Sequence, residues 1–293
     1  MLKKSRIRRA IILTAMSMSF ANMLAFGAVS EEFAQKIRNL KWIAYSPTNF
    51  DPDKFIYPTE DSIREDLLTL YECGFRGIVT YGAYGVLAQI PRIAAETGFR
   101  GMIMGIWDIS DFEELSNAIA SSNLVDGYCA GNEGLGKRYE SALLVQVMKE
   151  IREETGRPVT TTEEINDYYN VTLNLVSLGD WVFPNIHPFM HQIKDPEKAV
   201  RWIGRHNRLL NKQVDYGKIV FIKETGFPTS GAAGATETNQ KVFFEILLEV
   251  TDISFVYFEA FDQPWKTWHC FEPHWGLFDQ LRKPKKFAAT LLY

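Results

Sequence analysis

From residue 40 to residue 261 the chain alternates short apolar runs with longer amphipathic segments, and this alternation limits the fold more than any other feature. The runs are LKWIAYS, GIVTY, GMIMGIW, LVDGYCAGNE, PVTTTEE, DWVFPNIHPF, KIVFIKETGF and ISFVYFEAF, eight in all. Near-continuous apolar runs suit strands of a parallel sheet covered on its faces by helices. The intervening segments read as those helices. In RYESALLVQVMKEIREETG, Leu144, Met148 and Ile151 share one face and Gly156 stops the helix. Asp195-Pro196-Glu197 is a capping residue, a first-turn proline and an early acid. A last helical segment after Pro284 brings the helices to eight as well. Eight strand and helix alternations close naturally into an α/β fold of the (β/α)8 or TIM-barrel class. An open doubly wound sheet is the competitor. It is disfavoured because no run is followed by a glycine-rich phosphate turn, and because polar residues end many of the runs instead of lining one crevice.

The length of 293 residues suits one such barrel without a second core. No internal repeat or linker divides the chain, so residues 36–293 are expected to form a single domain. The first 29 residues differ. Lys3, Lys4, Arg6, Arg8 and Arg9 precede the apolar run from Ala10 to Val29, the pattern of an export signal. Ala25-Phe26-Gly27 offers a cleavage site, while a run of about 20 residues is also long enough to stay in the bilayer as an anchor. The barrel is therefore expected outside the cytoplasm, in the periplasm or medium, with the anchor as its sole link to a membrane. A formal charge of -4 lacks the basic excess that holds nucleic acid. Cys73, Cys129 and Cys270 are too few and too scattered for a disulfide framework or zinc cluster, and buried free thiols are expected. The five histidines have no paired ligand spacing and no phosphate loop occurs, so neither a metal nor another cofactor is expected.

In a parallel barrel the carboxyl ends of all strands open on one face, and the residues ending the runs become site candidates. They are Tyr45, Tyr81, Asn132 with Glu133, Glu163, Asn185 with His187, Glu224 and Glu259. Four glutamates converging on one rim repel one another unless function retains them. Paired carboxylates among Tyr, Trp, His and Asn suit glycoside hydrolysis, in which one carboxyl stays protonated for the leaving oxygen and the other is ionised. Glu133 ends the fourth run and Glu224 the seventh, which places them across the mouth from each other.

The stretches YCAGNEGLGKR, PVTTTEE, NIHPF, ETGFPT, FEAFDQPWK and EPHWGLF follow one another in the order found in glycoside hydrolase family 17. From about Trp42 to Phe278 the chain resembles that family of β-1,3-glucanases and β-1,3-glucan transglycosylases, its bacterial and fungal branches most. The resemblance implies a retaining mechanism with Glu224 as nucleophile and Glu133 as acid/base. It further implies that Asn132 meets the sugar 2-OH and that Lys266 and Glu272 surround the catalytic pair. Tyr45, Tyr81, His187, Phe189 and Trp265 would form the sugar platform, with Glu163 and Glu259 among the substrate-binding residues. The implied partner is a β-glucan oligo- or polysaccharide, bound by a monomer. Three positions depart from the family pattern: Gly134 replaces a bulky aliphatic, Phe227 a tryptophan, and Gln263 an acid beside Pro264-Trp265-Lys266. These departures keep open a non-catalytic, membrane-anchored glucan-binding protein. A retaining barrel glycosidase for another β-linked glycan also stays open.

Overall fold

The computed structural model of the protein describes residues 27–215 and 217–292. Its sheet contains β1 (Trp42–Ala44), β2 (Gly77–Val79), β3 (Gly101–Ile106), β4 (Gly127–Ala130), β5 (Val159–Thr160), β6 (Phe221–Thr225) and β7 (Ser254–Tyr257). All pairings are parallel and the order is β5-β4-β3-β2-β1-β7-β6. Seven of the eight expected runs thus become strands.

The sixth run, DWVFPNIHPF, forms isolated bridges instead of a strand, and it is this run that joins the two edges of the sheet. On one side Asp180 N–H donates to the Val159 carbonyl and Asn185 N–H to the Glu163 carbonyl. On the other, Val182 and Ile219, then Phe221 and Val182, Lys223 and Pro184, and Ile186 and Glu224 pair as donor and acceptor. Pro184 has no N–H to give to a ladder, and the Thr160 hydroxyl takes the Trp181 carbonyl at 2.6 Å. The pairing is therefore intermittent, yet the parallel array curls round and closes, consistent with a (β/α)8 barrel.

The helices are α1 (Glu31–Asn39), α2 (Glu60–Glu72), α3 (Ile90–Thr97), α4 (Phe112–Ala120), α5 (Ser141–Thr155), α6 (Pro196–Asn211), α7 (Glu237–Leu248) and α8 (Lys286–Leu291). The local signals act as expected. Gly156 ends α5 with φ 67°, and the Asp195 carboxylate caps α6 by accepting from Lys198 N–H. The count of eight among the described residues hides a shift, because α1 precedes β1 and only a 3-10 turn, Asp167–Tyr169, lies between β5 and residues 180–186. The segment after β5 is rich in Asn, Asp and Thr, which favour turns over helix interiors.

The amino end of the barrel is plugged by aromatic side chains. Trp42 is fully buried, its indole donates to the Lys36 carbonyl at 3.0 Å, and its ring packs edge-on against Phe221. The indole lies over Gly77 and Gly101, its β2 and β3 neighbours, where an added Cβ would sit 2.3 Å and 2.6 Å from ring atoms. Cys73 and Cys129 are buried thiols as expected, but Cys270 is exposed on a surface loop. Residues 1–26, most of the expected export segment, lie outside the described residues. Among the described residues no helix is long and apolar enough to cross a membrane.

Gly77→Ala should destabilise the fold by about 1–3 kcal/mol through overpacking against Trp42. Urea unfolding monitored by tryptophan fluorescence checks this, and an unchanged midpoint would contradict the packing account.

Candidate active site

A cavity of about 970 Å³ opens at the carboxyl ends of the strands. Glu133 and Glu224 both line it, with Tyr45, Tyr81, Asn132, His187, Trp265, Lys266 and Glu272. The structure therefore brings together nine of the thirteen residues singled out from the sequence.

The two glutamates occupy opposite electrostatic settings. Glu224 extends β6 into a charged clamp: Lys223 Nζ donates to its Oε1 at 2.6 Å, and His187 Nε2 lies 3.1 Å from its Oε2. Burial alone would push this carboxyl up, but the Lys223 charge and the His187 hydrogen bond outweigh it and hold Glu224 well below the usual carboxylate range. Among the described residues, Glu133 has no cation in hydrogen-bond contact. Its Oε1 accepts from the neutral Asn185 amide at 2.6 Å, and burial together with the Glu224 charge pushes its carboxyl up.

The backbone aims Glu133. Its φ of 50° is left-handed, an uncommon state for a residue with a Cβ, and its N–H is tied to the Thr162 carbonyl at 3.0 Å. The turn that follows is braced by Glu163, whose Oε1 accepts from Gly134 N–H at 3.1 Å and Leu135 N–H at 2.9 Å. Glu163 is thus buried behind the cavity wall and supports the loop that carries Glu133. Glu259 is buried as well, with both carboxylate oxygens 2.8 Å from Lys266 Nζ. Phe189 is off the cavity wall too, packed edge-on against Phe227, Phe271 and Trp275. Glu163 is satisfied there by the loop after β4, Glu259 by Lys266 from the loop that follows it, and Phe189 by aromatic packing. Tyr45 lines the cavity, while its hydroxyl donates to Asp66 Oδ2 at 2.8 Å.

Lys223, Glu164, Trp107, Trp268, Phe258 and Trp275 also line or brace the site and were missed from sequence. For Lys223 a signal existed: a lysine inside the apolar run KIVFIKETGF is anomalous in a buried strand. The exposed rim is a second omission. Tyr84, Tyr57, Phe50, Trp265 and Trp268 follow one another with ring centroids 5.6–6.3 Å apart, making a continuous aromatic wall. Only contact across separate loops reveals it. Tyr57, Tyr84 and Trp268 are exposed and Phe50 and Trp265 half-buried, so the wall offers flat apolar faces to a ligand.

The three departures find local explanations. A Cβ at Gly134 would lie 2.4 Å from the Tyr139 ring, so glycine is what lets that ring pack. Phe227 is fully buried against Phe189 and Phe243, away from the cavity. Gln263 donates to the Ser46 carbonyl at 3.0 Å and accepts from Trp265 Nε1 at 2.8 Å, orienting the tryptophan. Its side chain takes no part in the bonds that Lys266 Nζ makes to Glu259.

A family model described as the BtgE/BtgC glycoside hydrolase domain matches residues 43–276. Among curated proteins, the chain is 28% identical over 203 residues to the probable glucan endo-1,3-beta-glucosidase btgC of Aspergillus clavatus, covering 56% of this chain and 28% of that protein. It is 26% identical over 244 residues to the probable beta-glucosidase btgE of Aspergillus flavus, covering 76% of this chain and 40% of that protein. The chain thus spans well under half the length of these two relatives. Among solved structures, a glycoside hydrolase family 17 beta-1,3-glucanosyltransferase from Rhizomucor miehei superposes with a TM-score of 0.70 at 24% identity, covering 85% of this chain and 96% of that one. An endo-laminarinase from Formosa Hel1_33_131 superposes with a TM-score of 0.75 at 18% identity, covering 90% and 89%. These two share the fold.

Burial raises the Glu163 carboxyl to about 7, so folding stability attached to it is present below its unfolded value of about 4.3 and is lost as pH rises through 7. Glu163→Gln keeps the acceptor for the 134–135 backbone and removes the titration. Its stability relative to the parent should improve between pH 5 and pH 8 by on the order of 2 kcal/mol. Urea unfolding at the two pH values measures the change, and a difference independent of pH would count against it.

Proposed function

Because the chain belongs to the BtgE/BtgC glycoside hydrolase domain family, we propose that it is a retaining glycosidase acting on β-1,3-linked glucans, by hydrolysis or by transfer to a second sugar. The observation that carries this reading is the pair of carboxylates on one cavity with opposite partners, Glu224 between Lys223 and His187, and Glu133 against the amide of Asn185.

Glu224, held ionised, attacks the anomeric carbon, while Glu133, whose carboxyl burial and the Glu224 charge push up, gives its proton to the leaving glycosidic oxygen. The covalent glycosyl-enzyme is then opened by water or a sugar hydroxyl, which Glu133 deprotonates. Asn132 lines the cavity, and its Oδ1 is occupied by Lys223 at 2.5 Å, which leaves Nδ2 to donate to a sugar 2-OH. The names of the fungal relatives support the β-1,3 linkage. The aromatic wall from Tyr84 to Trp268 supports a chain of several sugars lying across the mouth. In this reading residues 36–293 form one monomeric (β/α)8 barrel, which residues 1–29 direct out of the cytoplasm.

Glu224→Ala should lose about 10⁴-fold or more on laminarin-type glucan. Azide with an activated aryl glycoside should restore turnover with inverted configuration. Glu133→Ala should lose about 10²–10⁴-fold on glucan and far less on the activated glycoside. Proton NMR of the anomeric products reads the stereochemistry, and exchanged outcomes or two active variants would refute the assignment. A protein that binds the glucan without releasing new species would be the binding protein instead.

The pH dependence of kcat/KM should be bell-shaped. Activity needs Glu224 deprotonated and Glu133 protonated, so it falls in acid as Glu224 gains a proton and in base as Glu133 loses one. Initial rates from pH 3 to pH 9 test this, and Glu133→Gln should abolish the basic limb.

A further inference from the structure

Lys223 has a deeply buried side chain, 1% exposed, in the middle of an apolar strand. A buried ammonium persists only when it is paired and hydrogen-bonded. Its Nζ donates to Glu224 Oε1 at 2.6 Å and Asn132 Oδ1 at 2.5 Å, and lies 4.3 Å from the centre of the Tyr81 ring. Lys223 is absent from the cavity wall, whereas His187, which meets Oε2, lies on it. Oε1 is therefore held by a residue behind the wall and Oε2 by one on it.

We propose that Lys223 is a positioning residue for glycosyl transfer: it fixes Glu224 and Asn132 as one unit, presents Oε2 to the anomeric carbon, and receives the carboxylate charge on Oε1 when the sugar leaves. This rests on the glycosidase reading above. In the first step an Oε2 lone pair bonds to the anomeric carbon, the glycosidic bond breaks, and its electron pair takes the proton of Glu133. Oε1 becomes the carbonyl oxygen of the ester and still accepts from the ammonium. In the second step the acceptor oxygen bonds to the anomeric carbon and its proton goes to Glu133. The bond to Oε2 breaks, and its electron pair returns to a carboxylate whose charge is shared onto Oε1 beside the lysine. Pairing with an ammonium makes Glu224 a poorer attacking base but a better leaving group, so the lysine favours the second step.

The charged and titratable groups facing Glu224 are Lys223 on its own strand, His187 after the closing segment, Tyr81 after β2, Cys129 and Glu133 from β4 and its loop, and Glu259 after β7, itself paired with Lys266. Among the described residues, Lys223 is the lysine that pairs with Glu224, Lys266 being held by Glu259, and His187 Nε2 makes the second contact, 3.1 Å from Oε2.

Lys223→Met, uncharged and similar in shape, tests the proposal with 2,4-dinitrophenyl β-laminaribioside. Release of the sugar from the enzyme should slow at least about tenfold, giving a burst of dinitrophenolate and a sugar adduct on Glu224 in mass spectra. The acid limb of kcat/KM should rise by about one pH unit or more, while Lys223→Arg should keep it low. A folded Lys223→Met protein with no burst and an unmoved acid limb overturns the proposal, even if kcat/KM falls, since that loss is what a structural role alone would cause. If Lys223→Met fails to fold, the unaltered protein decides. An acid limb below the ordinary glutamate value of about 4.3 supports the proposal, and one at or above it overturns it. An unaltered protein inert on all β-1,3-glucosides refutes the glycosidase reading and this proposal together. An active one that fails the tests above refutes this proposal alone.

Discussion

The mouth of this barrel depends on the hydrogen bonds by which residues 180–186 join the β5 edge of the sheet to the β6 edge. The same few residues that close the array deliver Asn185 to Glu133 and His187 to Glu224. Closure and site assembly are thus one event. A proline at 184 denies this segment a regular ladder, and what replaces the ladder is a set of single bonds to the Glu163, Ile219 and Glu224 backbones and to the Thr160 hydroxyl. An irregular strand can redirect successive side chains, and here two that follow closely, Asn185 and His187, reach different carboxylates.

Four glutamates at one end of a barrel raise an electrostatic problem that the structure solves four ways. Glu224 is ion-paired with Lys223 and bonded to His187, and stays charged. Glu259 is ion-paired bidentately with Lys266, which opposes a burial that pushes its carboxyl up. Among the described residues Glu163 receives only backbone N–H groups, so burial dominates and its carboxyl is pushed up to about 7. Glu133 receives one neutral amide and feels its charged neighbour, which raises it further. One residue type is held charged at Glu224 and pushed up at Glu133 because the partners differ, not because the acids do.

The departures from the family pattern fall in the packing around the site. Gly134 makes room for Tyr139, Phe227 joins an aromatic stack behind the wall, and Gln263 orients Trp265 through a neutral hydrogen bond. None bonds to the side chains of Glu133 or Glu224 among the described residues. The ammonium of Lys266 is held by Glu259, which lies seven residues before it in the chain.

The alternation of apolar runs and amphipathic segments by itself determined a parallel sheet wrapped by helices, because hydrophobic periodicity and helix caps act over a few residues and survive in any context. It also determined which residues reach the open end, since parallel strands all finish on one face. Contacts between residues far apart in the chain were decided by the tertiary structure alone. Strand-end position did not distinguish Glu163 and Glu259, which turn inward to the loop backbone and to a lysine, from Glu133 and Glu224, which turn to the cavity. Neither the aromatic wall running from Tyr84 to Trp268 nor the bond between Lys223 and Asn132 has any local pattern, because their members come from separate loops and strands. Whether a charge is kept or neutralised depends on what folding places within about 3–4 Å of it, and that neighbourhood exists only once the barrel is closed.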